Sequence, residues 1–168
     1  MNRPSLRAAL LGALLSMMAV QPLGARDNLA VVEQWAAFRD PQAPRCYAIS
    51  EPVGPARRDA QWKPFASVGY WPRQGVRGQI NIRLSRALKP GSEALLAIGG
   101  QRFRLVGAGA DVWAQDRQDD AAILAALRSG NRMLVTGAST SGRFVDDYRL
   151  RGAATAIDAA ALGCARLR

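Results

Sequence analysis

The chain has 168 residues, of which 49% are hydrophobic and 21% charged, a balance typical of a globular protein that excludes intrinsic disorder and a multispan membrane protein. Its 23 Lys and Arg residues outnumber its 13 Asp and Glu residues, for a formal net charge of +10. Because histidine is absent, Ser-His and Cys-His nucleophile pairs, His-ligated metals and histidine acid-base catalysis are all excluded. We expect no metal and no cofactor.

The first 25 residues have the three parts of a signal peptide. Residues 2–7 are basic, residues 8–20 are apolar, and a turn follows at 22–25. The apolar run is shorter than the roughly 20 residues that span a bilayer as a helix, and no cysteine follows it to carry a lipid anchor. We therefore expect cleavage near Ala25 and a soluble, basic mature domain, 26–168, without a membrane span, in the Gram-negative periplasm or secreted.

Short apolar runs between turns predict strands in the first half of the mature chain. After a leader at 29–34, the runs at 35–39, 46–50 and 65–71 are typical of strands. The segment 51–63 contains two prolines and has no apolar period, which indicates a long exposed connection that includes Trp62.

Alternation of apolar and polar side chains predicts two further strands with one buried face. In residues 79–84, Ile80, Ile82 and Leu84 should face inward, with Gln79, Asn81 and Arg83 outward. Residues 94–98 and 102–106 flank Gly99 and Gly100, and a glycine pair tolerates the positive φ angles of a tight hairpin. In the second arm of this hairpin, Phe103 and Leu105 should face inward, with Arg102 and Arg104 outward.

Two helices are predicted in the second half of the chain. One covers 120–129, with Asp119 or Asp120 as its cap and Gly130 at its end. The other is an Ala-rich helix over 153–162.

Strands are also predicted at 111–114, 133–136 and 143–150, the last two forming a hairpin around 137–142. The total is eight or nine short strands and two short helices, with no strand-helix-strand alternation. This pattern favours a mainly β fold, an antiparallel β-sandwich or open barrel, in a single domain.

The only two cysteines lie near the two ends of the mature chain, at Cys46 and Cys164. In an oxidising compartment they should form a disulfide. The alternative is a reactive thiol, which would need a nearby histidine or a CxxC partner to form a thiolate at neutral pH. The chain offers neither, so a structural disulfide is predicted.

Arginine supplies 21 of the 23 cations, and its planar guanidinium suits phosphate, sulfate and carboxylate groups. Arg83, Arg102 and Arg104 should share a solvent-facing side if their strands lie in one sheet, and they are candidate anion-binding residues together with Arg143. Arg143 follows the Ser- and Gly-rich segment 137–142, which resembles a phosphate loop, but the strand after it favours a hairpin tip. An envelope polyanion is thus a candidate partner, an ordinary solvated face is the alternative, and nucleic acid is not expected.

Other side chains are candidates for catalysis or glycan binding. Asp146 and Asp147 are adjacent strand residues that should point to opposite faces, and Asp119 and Asp120 begin a helix. No SxxK motif is present, although a dyad of Ser67 or Ser139 with Lys63 or Lys89 is conceivable. Of the four tryptophans, Trp62 is the one expected to be exposed and able to stack on a sugar, whereas the others should lie in the core.

The order of segments resembles the invasion-associated locus B family of exported Gram-negative proteins. The shared segments are a signal peptide, an opening Trp35-Ala-Ala-Phe strand, Arg45-Cys-Tyr-Ala-Ile, a Gly-Gly hairpin, an Asp120-Ala-Ala-Ile helix, a Phe144-Val-Asp-Asp-Tyr-Arg-Leu-Arg-Gly strand and an Ala-rich tail with a Cys. The resemblance implies a β-sandwich and a periplasmic or surface location. The family has no established catalytic residues to transfer.

Two classes of function follow from these observations. The first is an exported, non-enzymatic envelope protein with a binding or structural role, whose partner is an envelope polyanion, a glycan or another envelope protein. The alternative is a small periplasmic hydrolase that uses a Ser-Lys or carboxylate site.

Overall fold

The computed structural model describes residues 26–54 and 61–165, so the predicted signal peptide at 1–25 lies outside the described residues. Strands account for 49% of the described residues, and the predicted mainly β, antiparallel fold with two helices is confirmed. The strands are β1 (Asp27–Val32), β2 (Trp35–Asp40), β3 (Arg45–Ser50), β4 (Phe65–Trp71), β5 (Val76–Arg83), β6 (Ala94–Ile98), β7 (Gln101–Ala108), β8 (Asp111–Ala114), β9 (Arg132–Ser139) and β10 (Gly142–Arg149). The helices are α1 (Arg117–Ser129) and α2 (Ala153–Ala165).

All ten strands belong to one sheet with the order β1-β2-β3-β4-β5-β8-β7-β6-β9-β10. The sheet is not closed, but hydrogen bonds bring its two ends together. The Trp35 indole Nε1 donates to the carbonyl of Arg149 at 2.8 Å, and the Val53 amide donates to the carbonyl of Asp147 at 2.6 Å. The sheet is therefore bent until its first and last strands approach each other.

Gly152, between β10 and α2, allows the chain to pass close to the end of β1. Its φ of +88° lies in the left-handed region, and a Cβ at this position would lie 2.3 Å from the carbonyl oxygen of Val32. Only glycine adopts this conformation and accepts this contact at little cost.

The inner face of the sheet forms the core, as the predicted alternation in β5 requires. Ile80, Ile82 and Leu84 are buried, whereas Asn81 and Arg83 are partly exposed on the outer face. The two helices cover part of the inner face, α2 against β1 to β4 and α1 against β5, β7 and β8. The buried side of α2 consists of Ala153, Ala156, Ile157, Ala160 and Cys164.

The predicted disulfide is confirmed. Cys46 and Cys164 are bonded, with their Cα atoms 5.7 Å apart and 118 residues between them in sequence. Both side chains are buried, so the bond fastens the end of α2 to β3 inside the core.

Two segments that the sequence pattern does not predict as strands are largely β-strand in the structure. The predicted leader at 29–34 is mostly β1, which pairs with β2 across a register shift between Asn28 and Ala30. The predicted loop at 137–142 is mostly paired backbone of β9 and β10, and only Thr140 and Ser141 form the tip. Backbone pairing with a neighbour extends both strands beyond their apolar residues.

The predicted cap of α1 is wrong, because the helix begins earlier. Asp116 is the cap residue, and its side chain accepts a hydrogen bond from the Asp119 amide at 2.8 Å. Asp120 instead accepts a hydrogen bond from the Ile80 amide at 2.8 Å, which joins α1 to β5. Gly130 does end the helix, but in an extended conformation, where a Cβ would lie 2.5 Å from a methyl group of Ile98.

Candidate functional site

A cleft of about 640 Å³ lies where the two ends of the sheet approach each other. Its walls come from the segments after β3, at 51–54 and 61–64, from Ser85 and Arg86 after β5, and from residues 144–146 of β10. The volume falls within the range of about 300–1,000 Å³ that is usual for small-ligand sites. This cleft is the candidate functional site.

Asp146 is the buried carboxylate of the cleft. It lies on the inner face of β10, is 3% exposed, and accepts a hydrogen bond from the Ser85 amide at 2.8 Å. Burial raises the pKa of Asp146, and the hydrogen bonds from Ser85 and the charge of Arg86 oppose this shift only in part. The carboxyl group is therefore protonated at a higher pH than an exposed aspartate.

Tyr148 lies two residues further along the same face of β10. Its side chain is buried, and its hydroxyl has no hydrogen-bond partner among the described residues. Burial raises the pKa of Tyr148, and the charges of Asp146 and Glu51 raise it further. The hydroxyl thus remains protonated, as a buried donor without an acceptor among the described residues.

Trp62 forms part of one wall, and a hydrogen bond fixes its ring. The indole Nε1 donates to the carbonyl of Leu84 at 2.8 Å, so Trp62 is only partly exposed although it lies in a polar connection. Charged side chains of both signs, Glu51, Lys63 and Arg86, line the same cleft. A hydrogen-bonded aromatic ring in the same walls as donors and acceptors can hold a ligand that has both apolar and hydroxyl surfaces.

The four candidate anion-binding arginines do not form one group. Arg83 is paired with Asp111 at 2.9 Å, which raises the pKa of Arg83, and Arg104 is paired with Glu93 at 2.7 Å. Their guanidinium charges are therefore balanced within the sheet. Arg102 and Arg143 have no carboxylate within 4.0 Å among the described residues, and β6 and β9 separate their strands.

The registers explain why these arginines are not a continuous stripe. Arg83 on β5 is directly opposite Asp111 on β8, and Asp111 is directly opposite Ala108 on β7. Arg104 lies four residues further along β7, or about 13 Å at the rise of an extended strand. All four side chains are on the outer face, as the alternation predicts for Arg83, Arg102 and Arg104, and none of them lines the cleft.

The hydroxyls considered for a Ser-Lys dyad are engaged in backbone contacts. Ser139 donates to the carbonyl of Gly142 at 2.9 Å and lies 3.0 Å from the hydroxyl of Ser141, so it stabilises the β9–β10 tip. Ser67 is hydrogen-bonded to the carbonyl of Asn81 at 3.3 Å. The segment 137–142 consists of paired strand ends and a two-residue hairpin tip, and it is followed by a strand rather than by a helix N-terminus.

The acidic pair on β10 divides between the two faces of the sheet, as predicted. Asp146 faces the cleft, whereas Asp147 is on the outer face and is paired with Arg132 at 2.8 Å. The hydrogen bond and charge of Arg132 lower the pKa of Asp147. Two neighbouring carboxyl groups thus have pKa values shifted in opposite directions by their surroundings.

Of the three tryptophans expected in the core, two differ from expectation, because Trp71 at the end of β4 is partly exposed and Trp113 is exposed. Trp35 is buried as predicted, but Trp113 is 38% exposed on the outer face of β8. The inward positions of this short strand are taken by Val112 and Ala114, so Trp113 must point outward. The residues that sequence analysis missed are Glu51, Ser85 and Arg86, which no local motif marks as a site.

Replacing Asp146 by asparagine is expected to make the stability of the protein less dependent on pH. The folded-state pKa of Asp146 is raised, so the folded protein binds this proton more tightly than the unfolded chain does. Stability conferred by protonation is present at low pH and is lost as the pH rises through the unfolded and then the folded pKa. D146N should therefore be more stable than the wild type at pH 7, with the difference disappearing in acid, as measured by urea unfolding at a series of pH values.

D147N is the matched control, because the pKa of Asp147 is lowered by Arg132. Its carboxylate stabilises the folded state above the unfolded pKa, and this contribution is lost as the pH falls through the folded pKa. D147N should thus be less stable than the wild type at pH 7. If D146N and D147N change stability at pH 7 in the same direction, the raised pKa of the buried Asp146 is contradicted.

Within residues 26–54 and 61–165, no helix is long and apolar enough to cross a membrane. The same residues contain no cluster of three or more acidic or cysteine side chains that could hold a metal ion. No protein-family model, curated protein or solved structure matches the chain.

Proposed function

We propose that this is an exported, non-enzymatic protein of the Gram-negative cell envelope whose cleft binds a glycan. The observation that carries the proposal is the cleft of about 640 Å³ whose walls include the hydrogen-bonded indole of Trp62, the buried Asp146 and charged side chains of both signs. The proposal of export is supported by the three-part N-terminal segment and by the disulfide, a bond that persists in oxidising compartments.

The chemistry of the cleft favours a neutral or weakly charged saccharide over a polyanion. Lys63 and Arg86 are accompanied by Glu51 and Asp146 in the same walls, so the cations do not dominate. Carboxylates accept hydrogen bonds from sugar hydroxyls, and the cations donate to sugar oxygens. The aromatic ring of Trp62 offers an apolar surface for the C–H face of a sugar ring.

The resemblance to the invasion-associated locus B family supports an envelope role for the protein. The segments that carry the resemblance form β2, β3, the β6–β7 hairpin, α1, β10 and α2. They build the sheet and its helices, and only residues 144–146 among them line the cleft. The glycan proposal therefore depends on the cleft and not on the resemblance.

We expect Trp62→Ala to weaken oligosaccharide binding at least tenfold, because the variant removes the apolar platform and its hydrogen bond to Leu84. A tenfold change corresponds to about 1.4 kcal/mol, which lies within the range of about 0.5–1.5 kcal/mol for an aromatic contact. The measurement is titration calorimetry of the mature protein with chitotriose, cellotriose and maltotriose, which share pyranose rings and differ in linkage and substituents.

Trp113→Ala is the matched control, because Trp113 is also partly exposed but lies on the outer face of the sheet. It should bind the trisaccharides as the wild type does. A wild type that binds none of the three, or a Trp62→Ala variant that binds as well as Trp113→Ala, would contradict the proposal. Retention on heparin with a steep loss in salt would instead favour a polyanion partner.

A second candidate function is hydrolysis at a carboxylate site, and the protonation-favouring position of Asp146 supports it. An acid with a raised pKa in a cleft is suited to donate a proton to a leaving group, and Glu51 lies in the same walls. Chromatography of a trisaccharide after prolonged incubation tests this function. If the wild type cleaves the trisaccharide and both D146N and E51Q do not, the protein is a hydrolase and the proposal of a non-enzymatic role is wrong. If the trisaccharide stays intact, only the binding function is supported.

A further inference from the structure

An apolar band crosses the outer face of the sheet from β8 to β10. In antiparallel sheets with one buried face, the outer face is normally polar. Here four large apolar side chains on that face are exposed by 38% to 59%: Trp113, Val106, Leu95 and Val145. They are four of the six large apolar side chains that are exposed among the described residues, so the outer face holds most of this surface.

The strand registers make these residues neighbours. Trp113 on β8 is directly opposite Val106 on β7. Leu95 on β6 is opposite Arg104 and therefore diagonal to Val106. Thr136 on β9 lies between Leu95 and Val145 in one row. At about 4.8 Å per strand, the band is about 19 Å long.

Arginines without carboxylate partners among the described residues lie beside the band. Arg102 is two residues from Arg104 on the outer side of β7, and Arg143 precedes Val145 by two residues on β10. Both side chains are exposed, and the chain as a whole has a net charge of +10. The uncompensated charge at this face is positive.

We infer that the apolar band and its two arginines are a docking surface for an anionic phospholipid bilayer. A second copy of the chain is disfavoured as the occupant, because a symmetric contact would place the same arginines close together. A bilayer surface accepts both features, since short apolar side chains and tryptophan enter the interfacial region while arginines pair with lipid phosphates. The protein would then lie on the membrane through its outer sheet face, with the cleft at one edge of the contact, because Val145 of the band also lines the cleft.

The test is co-sedimentation of the mature protein with vesicles. Vesicles of equal parts phosphatidylcholine and phosphatidylglycerol should bind the protein, and vesicles of phosphatidylcholine alone should bind it at least tenfold less. Leu95→Ser/Val106→Ser and Arg102→Gln/Arg143→Gln should each weaken binding to the anionic vesicles about tenfold. The affinity of Leu95→Ser/Val106→Ser for the anionic vesicles should fall further at high salt, because screening weakens the contribution of the two arginines that this variant keeps.

Matched controls separate this surface from general hydrophobicity and charge. Val31→Ser/Leu162→Ser removes two exposed apolar side chains outside the band, and Arg73→Gln/Arg117→Gln removes two exposed arginines elsewhere. Both control variants should bind the vesicles as the wild type does. Trp62→Ala should also bind them normally, so that failure of the cleft proposal and failure of this one are distinguishable.

Three outcomes would overturn the inference. The first is equal binding to both vesicle types, or to neither. The second is an equal loss in the control and band variants. The third is concentration-dependent dimerisation of the wild type that Leu95→Ser/Val106→Ser abolishes, because that result would assign the band to a second copy of the chain. Circular dichroism of each variant ensures that a loss of binding is not a loss of fold.

Discussion

Replacing Cys46 or Cys164 by serine is expected to lower the free energy of unfolding by about 4 kcal/mol. The bond joins residues 118 apart in sequence, so it restricts the unfolded chain over most of its length. It also fastens α2 to β3, and α2 covers the inner face of four strands. Urea unfolding of the mature, oxidised protein and of each variant measures the loss.

The double variant Cys46→Ser/Cys164→Ser should be no less stable than either single variant, because all three lack the same cross-link. Alanine variants at the same positions control for the cost of burying a serine hydroxyl. Two free thiols in the denatured, unreduced protein would contradict the disulfide, and additive losses in the double variant would mean that the two side chains act independently.

Local sequence patterns predict most of this fold because most of its strands pair with their neighbours in sequence. In β5 a strict alternation buries Ile80 and Ile82, and a glycine pair between β6 and β7 specifies a tight hairpin. Both features are set within about ten residues. The same holds for α2, whose alanines identify a helix that packs closely on the sheet.

Features that local alternation does not mark could not be predicted in the same way. The burial of β1 has no regular alternation, and the strand is defined by its backbone pairing with β2, which follows directly in sequence. Asp116 caps α1, whereas Asp120 accepts a hydrogen bond from the Ile80 amide, 40 residues away in sequence. A contact of this kind between α1 and β5 cannot be read from the residues around the start of the helix.

The cleft illustrates the same limit for function. Asp146 and Ser85 are 61 residues apart in sequence, and only the bend of the sheet brings them together. Alternation did place Arg83 and Arg104 on the outer face, but their partners Asp111 and Glu93 lie on other segments and neutralise them. A pattern within one strand shows where a side chain points and not which charge it meets.

The side chain of Trp35 connects the two ends of the open sheet, and Trp35→Ala is expected to lower the free energy of unfolding by about 3–5 kcal/mol. The ring is almost completely buried at the start of β2, so the variant leaves a large cavity. It also removes the indole hydrogen bond to the carbonyl of Arg149, 114 residues away in sequence. Urea unfolding followed by circular dichroism measures the loss.

Trp35→Phe separates packing from the hydrogen bond. Phenylalanine keeps most of the apolar contact but cannot donate a hydrogen bond to the carbonyl of Arg149. The free energy of unfolding is therefore expected to fall by about 1–2 kcal/mol, the cost of leaving one buried acceptor unpaired. Trp113→Phe, on the outer face, should change stability by less than about 0.5 kcal/mol. If closure of the sheet depends on Trp35, hydrogen exchange at the amide of Val53, which bonds to β10, should accelerate more in Trp35→Ala than in a core variant of equal stability loss such as Ile157→Ala. Equal acceleration in both variants would show that Trp35 contributes bulk packing alone.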